Sequence, residues 1–351
     1  MSFDFDTILR SAREAGASDV LFAPGEPATA RVRGQLQALP GAAPSPAILR
    51  DLALRLRPDH LDGEEGERWA HTDSDGARYR LSPYQAEGGV HLAVRLVPRE
   101  LPPLKSLDPE LLEAVLEPSP GLILVVGPAG SGRSTTAAGL LQRLNAHHAC
   151  HVVTVEDPVE FVFTPDRARF SQREIGRDVP SQLEGILSAG AVDGDVLFVD
   201  ELTTALELQA ALQTIDNGLL VIATVAGGDF CEALEALLRG VEPEPRQDLL
   251  NQIAIKLRLC LAQRLLVGTR ESLPVYEVLV PVEEARLRVV KGELHALGEM
   301  LEAGARFGSR SLDQALAVAV CAGQASPDEA AAEARDPTLL EGYVRRLLGE
   351  A

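Results

Sequence analysis

Apolar positions along this chain follow two rhythms. Over Phe5–Glu14 they recur at helical spacing, and a second helix is expected around Ala47–Leu56. Strand-like segments lie between and after these: Ala17–Phe22, a further start at Ala30–Val32, then Tyr79–Leu81 and Val90–Val97 paired through a Gly88-Gly89 turn. Residues 4 to about 97 therefore read as a small α+β unit. Pro98–Pro103 carries three prolines and mixed charge, the composition of a linker.

From Gly121 the rhythm changes. Leu122–Val126 is a continuous apolar run, glycine-rich Gly127–Gly132 follows it, and Ser134–Leu144 has helical composition. Further apolar runs at Val152–Val155, Val196–Val199 and Leu219–Val225 alternate with helix-like Ser181–Ala189 and Ala205–Asp216. Short buried strands alternating with helices predict an α/β fold with a mainly parallel sheet covered on both faces. From about Ser311 two or three helices rich in Ala, Leu and Glu are expected.

Composition narrows the class. A chain of 351 residues suits two domains, at about 100–200 residues each. Its 52 acidic against 33 basic side chains give a net charge of -19, which argues against nonspecific binding to nucleic acid or to an anionic membrane. The first ten residues lack a basic stretch followed by an apolar one, so no signal peptide is expected, and no apolar run approaches the roughly 20 residues of a membrane-spanning helix. The four cysteines are scattered without a C-x-x-C pair, so neither a zinc site nor a disulfide framework is expected, and a reducing, cytoplasmic setting fits. His147, His148 and His151 read as loop residues before the second apolar strand.

Candidate chemistry begins at Gly127-Pro128-Ala129-Gly130-Ser131-Gly132-Arg133-Ser134, which fits the phosphate-binding pattern G-x-x-x-x-G-K-[ST] except that arginine takes the lysine position. Glycines let backbone N–H groups converge on phosphate oxygens, and the following helix N-terminus adds a favourable field. Ser134 is placed to offer its hydroxyl to Mg²⁺, with Thr135 beside it. Arginine keeps the charge of lysine but brings a planar fork with different partner geometry. Two readings of Arg133 stay open. Only three of the 33 basic residues are lysines, which suggests general drift to arginine; relaxed selection on hydrolysis is the other. At the end of another apolar strand, Glu201 can orient and deprotonate a water while Asp200 helps hold Mg²⁺. The competing, weaker reading is that the two carboxylates simply open a loop that Thr203 or Thr204 caps.

Several segments together resemble the type IV pilus retraction ATPases (PilT-like) of the secretion ATPase superfamily. Gly121–Thr136 resembles their phosphate loop, Val155-Glu-Asp-Pro-Val-Glu-Phe161 their Asp box, Ser171–Pro180 the segment after it, and Asp195–Glu201 their Walker B strand. Gln263-Arg-Leu265, Ser311–Leu316 and Gly16–Leu39 match further landmarks, so the likeness spans nearly the whole chain. The resemblance implies a PAS-like N-terminal domain over 1–98, a linker over 99–108, a RecA-like P-loop ATPase domain over 109–270 and a mainly helical C-terminal part over 271–351. It implies ATP and Mg²⁺ as cofactors, and a homo-hexamer or a mixed hexamer with a PilT-like paralogue. Such a ring sits at the cytoplasmic face of the inner membrane, against the platform protein of the pilus machine. Among site residues it implies Glu160 as a second catalytic acid, Arg80 and Arg95 as phosphate-facing arginines, and Glu156 near Mg²⁺. For a lone arginine, surface ion pairing is the competing reading.

The chain also departs from the family pattern. Where the family's His box resembles T-L-H-T, this chain has Thr224-Val225-Ala226-Gly227, so the imidazole is replaced at Ala226. The helix before Walker B, Ile186–Val192, carries no arginine, the motif associated with retraction survives only as Ala285-Arg286, and Glu87-Gly88 replaces a third basic residue. Nucleotide-binding features persist better than those for sensing and coupling. Two expectations follow: an ATP-hydrolysing retraction motor, or a weakly hydrolysing nucleotide-binding paralogue that acts as a structural or regulatory partner of an active pilus ATPase.

Overall fold

A computed structural model describes residues 3–32, 34–57, 68–98, 100–101, 104, 106–267 and 272–349. Of the stretch expected to be a linker, Arg99, Pro102, Pro103 and Lys105 lie outside the described residues. The chain divides into two compact units: residues 1–101 with 156–162 and 173–180, and residues 102–155, 163–172 and 181–351.

The first unit contains α1 (Phe5–Glu14), β1 (Ala17–Phe22), β2 (Thr29–Val32), β3 (Gln35–Ala38), α2 (Pro46–Leu56), β4 (Trp69–Thr72), β5 (Arg78–Ala86) and β6 (Gly89–Leu96). Asp4 caps α1 by accepting from the Thr7 N–H, and Phe5, Ile8, Leu9 and Ala12 form its buried stripe, the i, i+3, i+4, i+7 spacing of an amphipathic helix. Ser45 caps α2, with Pro46 in its first turn. The strands form a six-stranded antiparallel sheet in the order β3-β2-β1-β6-β5-β4. Gly88 and Gly89, at φ +90° and +124°, make the turn between β5 and β6, as the glycine pair predicted. Trp69, Tyr79, Phe22, Leu9 and Leu49 lie in the core of this unit.

The second unit runs from α3 (Pro109–Leu116) through β7 (Gly121–Gly127), α4 (Arg133–His147), β8 (His151–Glu156), β9 (Arg169–Glu174), α5 (Gln182–Ser188), β10 (Val196–Leu202), α6 (Ala205–Asp216) and β11 (Leu220–Ala226). It continues with α7 (Phe230–Leu237), α8 (Pro243–Lys256), β12 (Leu257–Val267), β13 (Ser272–Leu279), α9 (Glu283–Val290), α10 (Leu297–Ala303), α11 (Leu312–Cys321), α12 (Pro327–Glu333) and α13 (Pro337–Leu348). Its seven-stranded sheet has the order β13-β12-β7-β11-β10-β8-β9. From β12 to β8 the strands are parallel, and β13 runs antiparallel to β12. Every residue of β7 is buried, so both faces of the sheet centre are covered, as the unbroken apolar run predicted. The three final helices pack through Leu312, Leu316, Ala330 and Leu340 against Leu266 and Val275 of β12 and β13.

Candidate functional site

The parallel strands of the second unit deliver their C-terminal ends to one edge, where a sheet of this topology presents its ligand-binding loops. β7 leads there into the glycine-rich loop. Gly130 and Gly132 adopt φ +79° and +88°, the left-handed region that side chains other than glycine's disfavour. A Cβ on Gly127 would stand 2.3 Å from Ser131 Oγ and 3.0 Å from the Gln263 carbonyl oxygen, so that position has room only for hydrogen. Gly132 precedes α4 without a side-chain cap, which leaves the N–H groups of the helix's first turn aimed at the loop's concavity. Ser131 Oγ is buried with no hydrogen-bond partner among the described residues.

Gln263 braces this loop. Its side-chain amide donates to the Ser131 carbonyl, and its Oε1 accepts from Thr136 Oγ1 of α4 at 2.6 Å. Thr136 Oγ1 also lies 3.0 Å from the Tyr276 hydroxyl, whose pKa burial pushes up. Loop, helix, β12 and β13 are thus tied through one buried polar cluster.

Across the edge, β10 places Asp200 and Glu201. Ser134 Oγ donates to Asp200 Oδ1 at 3.3 Å, and Thr224 Oγ1 of β11 lies 3.5 Å from the same oxygen. Glu201 holds φ +72°, where the pairing of β10 with β11 shifts register between Val199 and Leu202. Its carbonyl accepts from Gln182 Nε2 at 3.0 Å. The Glu201 carboxylate faces the Arg133 guanidinium, with Oε1 and Oε2 at 3.3 and 3.2 Å from the two terminal nitrogens. The cation of the loop and the carboxylate expected to activate water thus form a two-pronged ion pair. Ala226 pairs with Gly127 in the sheet, and the Gly227 N–H donates to the Gly127 carbonyl at 3.3 Å. The position where the family has an imidazole therefore borders the loop. Thr204 caps α6 in a reciprocal box with Glu207, so the loop after Glu201 uses the cap that its sequence suggested.

The other expected residues lie in the first unit. Arg80 and Arg95 stand directly opposite each other on β5 and β6, a like-charged pair that needs compensation. Arg80 pairs with Glu160 at 2.7 Å, where both side chains are largely buried, and Arg95 pairs with Asp19 of β1 at 3.0 Å. The segment that carries Glu160 is fixed by further groups. Arg78 Nε donates to the Val159 carbonyl at 2.8 Å, the Val159 N–H donates to Glu174 at 3.1 Å, and Arg68 pairs with Asp157 at 3.1 Å. Burial lowers the Arg78 pKa, and the nearby Glu174 and Glu156 partly offset this. Glu156 ends β8, buried and engaged.

One reading is corrected. His147 closes α4, and His151 is not a loop residue: it is the first residue of β8. Its ring nitrogens lie 2.9 Å from the Asp193 carbonyl oxygen and 2.8 Å from Ser171 Oγ. Its backbone N–H donates to Asp195 at 2.7 Å, which extends the strand one residue beyond the apolar run. Gln182 escaped attention as a functional position, and Gln263 entered only as part of a family landmark without a role, because an isolated glutamine carries no periodic or charge signal before folding sets it beside its partner.

The fold is a RecA-like α/β domain with an α+β N-terminal domain, the architecture of the secretion ATPases. The chain belongs to the type II/IV secretion system protein family, whose model matches residues 80–284, and within it the chain is PilT-like. It is 31% identical over 306 residues to the uncharacterized Escherichia coli K12 protein YggR, covering 85% of this chain and 92% of that one. It is 26% identical to the type IV pilus ATPase PilU of Pseudomonas aeruginosa, over 94% of this chain and 88% of PilU. A crystal structure of the pilus retraction motor PilT with bound ADP superposes with a TM-score of 0.82 at 26% identity, covering 97% of this chain and all of that one.

Proposed function

We propose that this chain is an ATP-binding and ATP-hydrolysing motor subunit of PilT type, which drives type IV pilus retraction as part of a hexameric ring. The observation that carries this reading is the join between the glycine-rich loop and β10: Ser134 on one, Asp200 on the other, 3.3 Å apart. Two hard oxygen donors at the foot of a phosphate-shaped loop suit Mg²⁺, and the ion would neutralise charge on the phosphates. Gly127, Pro128, Ala129, Gly130, Ser131, Gly132, Arg133, Ser134 and Thr135 would hold the nucleotide. Glu201 would take the proton of the attacking water once its carboxylate leaves Arg133. Glu160, Arg80 and Arg95 act as the family's further acid and phosphate-facing arginines, and to do so each arginine gives up its present ion pair.

The retraction role draws on the relatives, since PilT carries that function in its name and is matched over its full length. From the family also come the ring partners, a homo-hexamer or a mixed one with a PilT-like paralogue, the inner-membrane platform protein, and the cytoplasmic position at the pilus base. No helix of the described residues is long and apolar enough to cross a membrane.

The Arg133–Glu201 pair and Ala226 favour a second reading, a nucleotide-holding paralogue with little turnover that accompanies an active pilus ATPase. Titrating the purified chain with ATP and Mg²⁺ while following phosphate release separates the two. Saturable binding with release supports the motor. Saturable binding without release supports the paralogue, and no binding contradicts both.

A further inference from the structure

A cavity of about 470 Å³ lies in the second unit between the start of α3, β13, the loop before α11, and helices α11 and α13. Its size falls in the roughly 300–1,000 Å³ range of small-molecule sites. Leu107, Leu111, Val278, Val318 and Leu347 supply apolar wall, with Val318 and Leu347 exposed at 45% and 55%, so the apolar surface continues into an open mouth.

Two guanidiniums stand in this wall. Arg310 donates to the Ser106 carbonyl at 3.0 Å, while its Nε is buried with no hydrogen-bond partner among the described residues. Arg346 lies over the Tyr343 ring, 5.7 Å from its centroid. Neither arginine pairs with a carboxylate among the described residues, although acidic residues far outnumber basic ones in the chain. The neighbouring Arg345, outside the cavity, does pair, with Glu341. Asp108 also borders the cavity, but its Oδ1 accepts from the Glu110 N–H at 2.9 Å as the cap of α3. Burial lowers the pKa of Arg310 with no carboxylate to offset it. A half-enclosed apolar wall with two uncompensated planar cations is complementary to an anion on an apolar body.

We propose that this cavity binds a small amphipathic anion, its carboxylate or phosphate head held by Arg310 and Arg346 and its apolar body against the Leu107–Leu111 and Val318–Leu347 walls. The site stands apart from the glycine-rich loop and does not depend on ATP hydrolysis.

Calorimetric titration of the full chain with biphenyl-4-carboxylate, biphenyl-4-yl phosphate and the uncharged biphenyl-4-methanol tests it, and the two charged probes tell the preferred head group. At least one anion is expected to bind saturably and one-to-one, with the alcohol much weaker. Arg346→Gln should weaken that binding by about tenfold, in line with one lost charge-assisted hydrogen bond. Val318→Trp, which fills the mouth, should abolish it. Arg345→Gln, on the same helix turn but outside the cavity, should leave it unchanged. All three substitutions are at exposed positions, so thermal melts should stay near the wild type and keep the comparison interpretable. Absence of saturable binding by either anion, equal binding of the alcohol, or full retention of binding in Arg346→Gln and Val318→Trp would each overturn the proposal.

Discussion

Glu201 sits in a left-handed backbone conformation that costs a non-glycine residue about 1–2 kcal/mol, and the strain is met by two contacts, the Gln182 amide on its carbonyl and the Arg133 fork on its carboxylate. The fork sets a competition: a phosphate in the loop and the Glu201 carboxylate both call on Arg133. A half-exposed pair of this kind is worth about 1 kcal/mol, or a factor of about five in that competition. Lysine cannot match the two-pronged geometry, so Arg133→Lys is expected to raise ATP turnover by roughly that factor in a steady-state assay. An unchanged rate would shift the burden to Ala226. Gly127→Ala should abolish nucleotide binding in a titration while the chain still folds, because its Cβ would press on Ser131 and push the loop out of shape. The glycines, Arg133, Asp200 and Glu201 were all legible, since each belongs to a motif of local spacing. Gln182 was not, and Gln263 was legible only as a family landmark without a role. Their roles rest on partners 19 and 132 residues away, contacts that no local pattern encodes.

At the scale of elements, the legible ones are those that bury a continuous or periodic apolar face: α1, β7, β10, β11 and α6 fall where their patterns placed them. Edge strands hid. All four residues of β3 are exposed, and five of the six in β9 are only partly buried or exposed, so neither presents a buried apolar face to mark it. Where β10 hands over to α6, the strand stops one residue beyond Glu201 and the reciprocal box of Thr204 and Glu207 fixes the helix start. Thr204→Ala removes one arm of the box, and chemical denaturation should show a loss of about 1 kcal/mol. Because Glu207 also holds Thr203 through its N–H and hydroxyl, Glu207→Ala should cost at least as much.

At the scale of the molecule, the thiols report on the packing of the cores. Cys260 is wholly enclosed and burial raises its pKa well above that of a free thiol, while burial pushes Cys150 and Cys231 up to about 11. At pH 8 these three are protonated and slow to react, whereas Cys321 is exposed. Mass spectrometry after brief alkylation should therefore find Cys321 labelled first in the native protein and all four labelled together after denaturation. The family likeness runs the length of both units, and two of the departures, Arg133 and Ala226, fall beside the very groups that would carry the chemistry. The most direct test of the account is phosphate release from ATP with Mg²⁺ by the wild-type chain beside Glu201→Gln. Release by the wild type, reduced about a hundredfold or more in the variant while ATP still binds, is the expected result. Equal release by both proteins would contradict the assignment of Glu201, and ATP bound without release by either would contradict the motor itself.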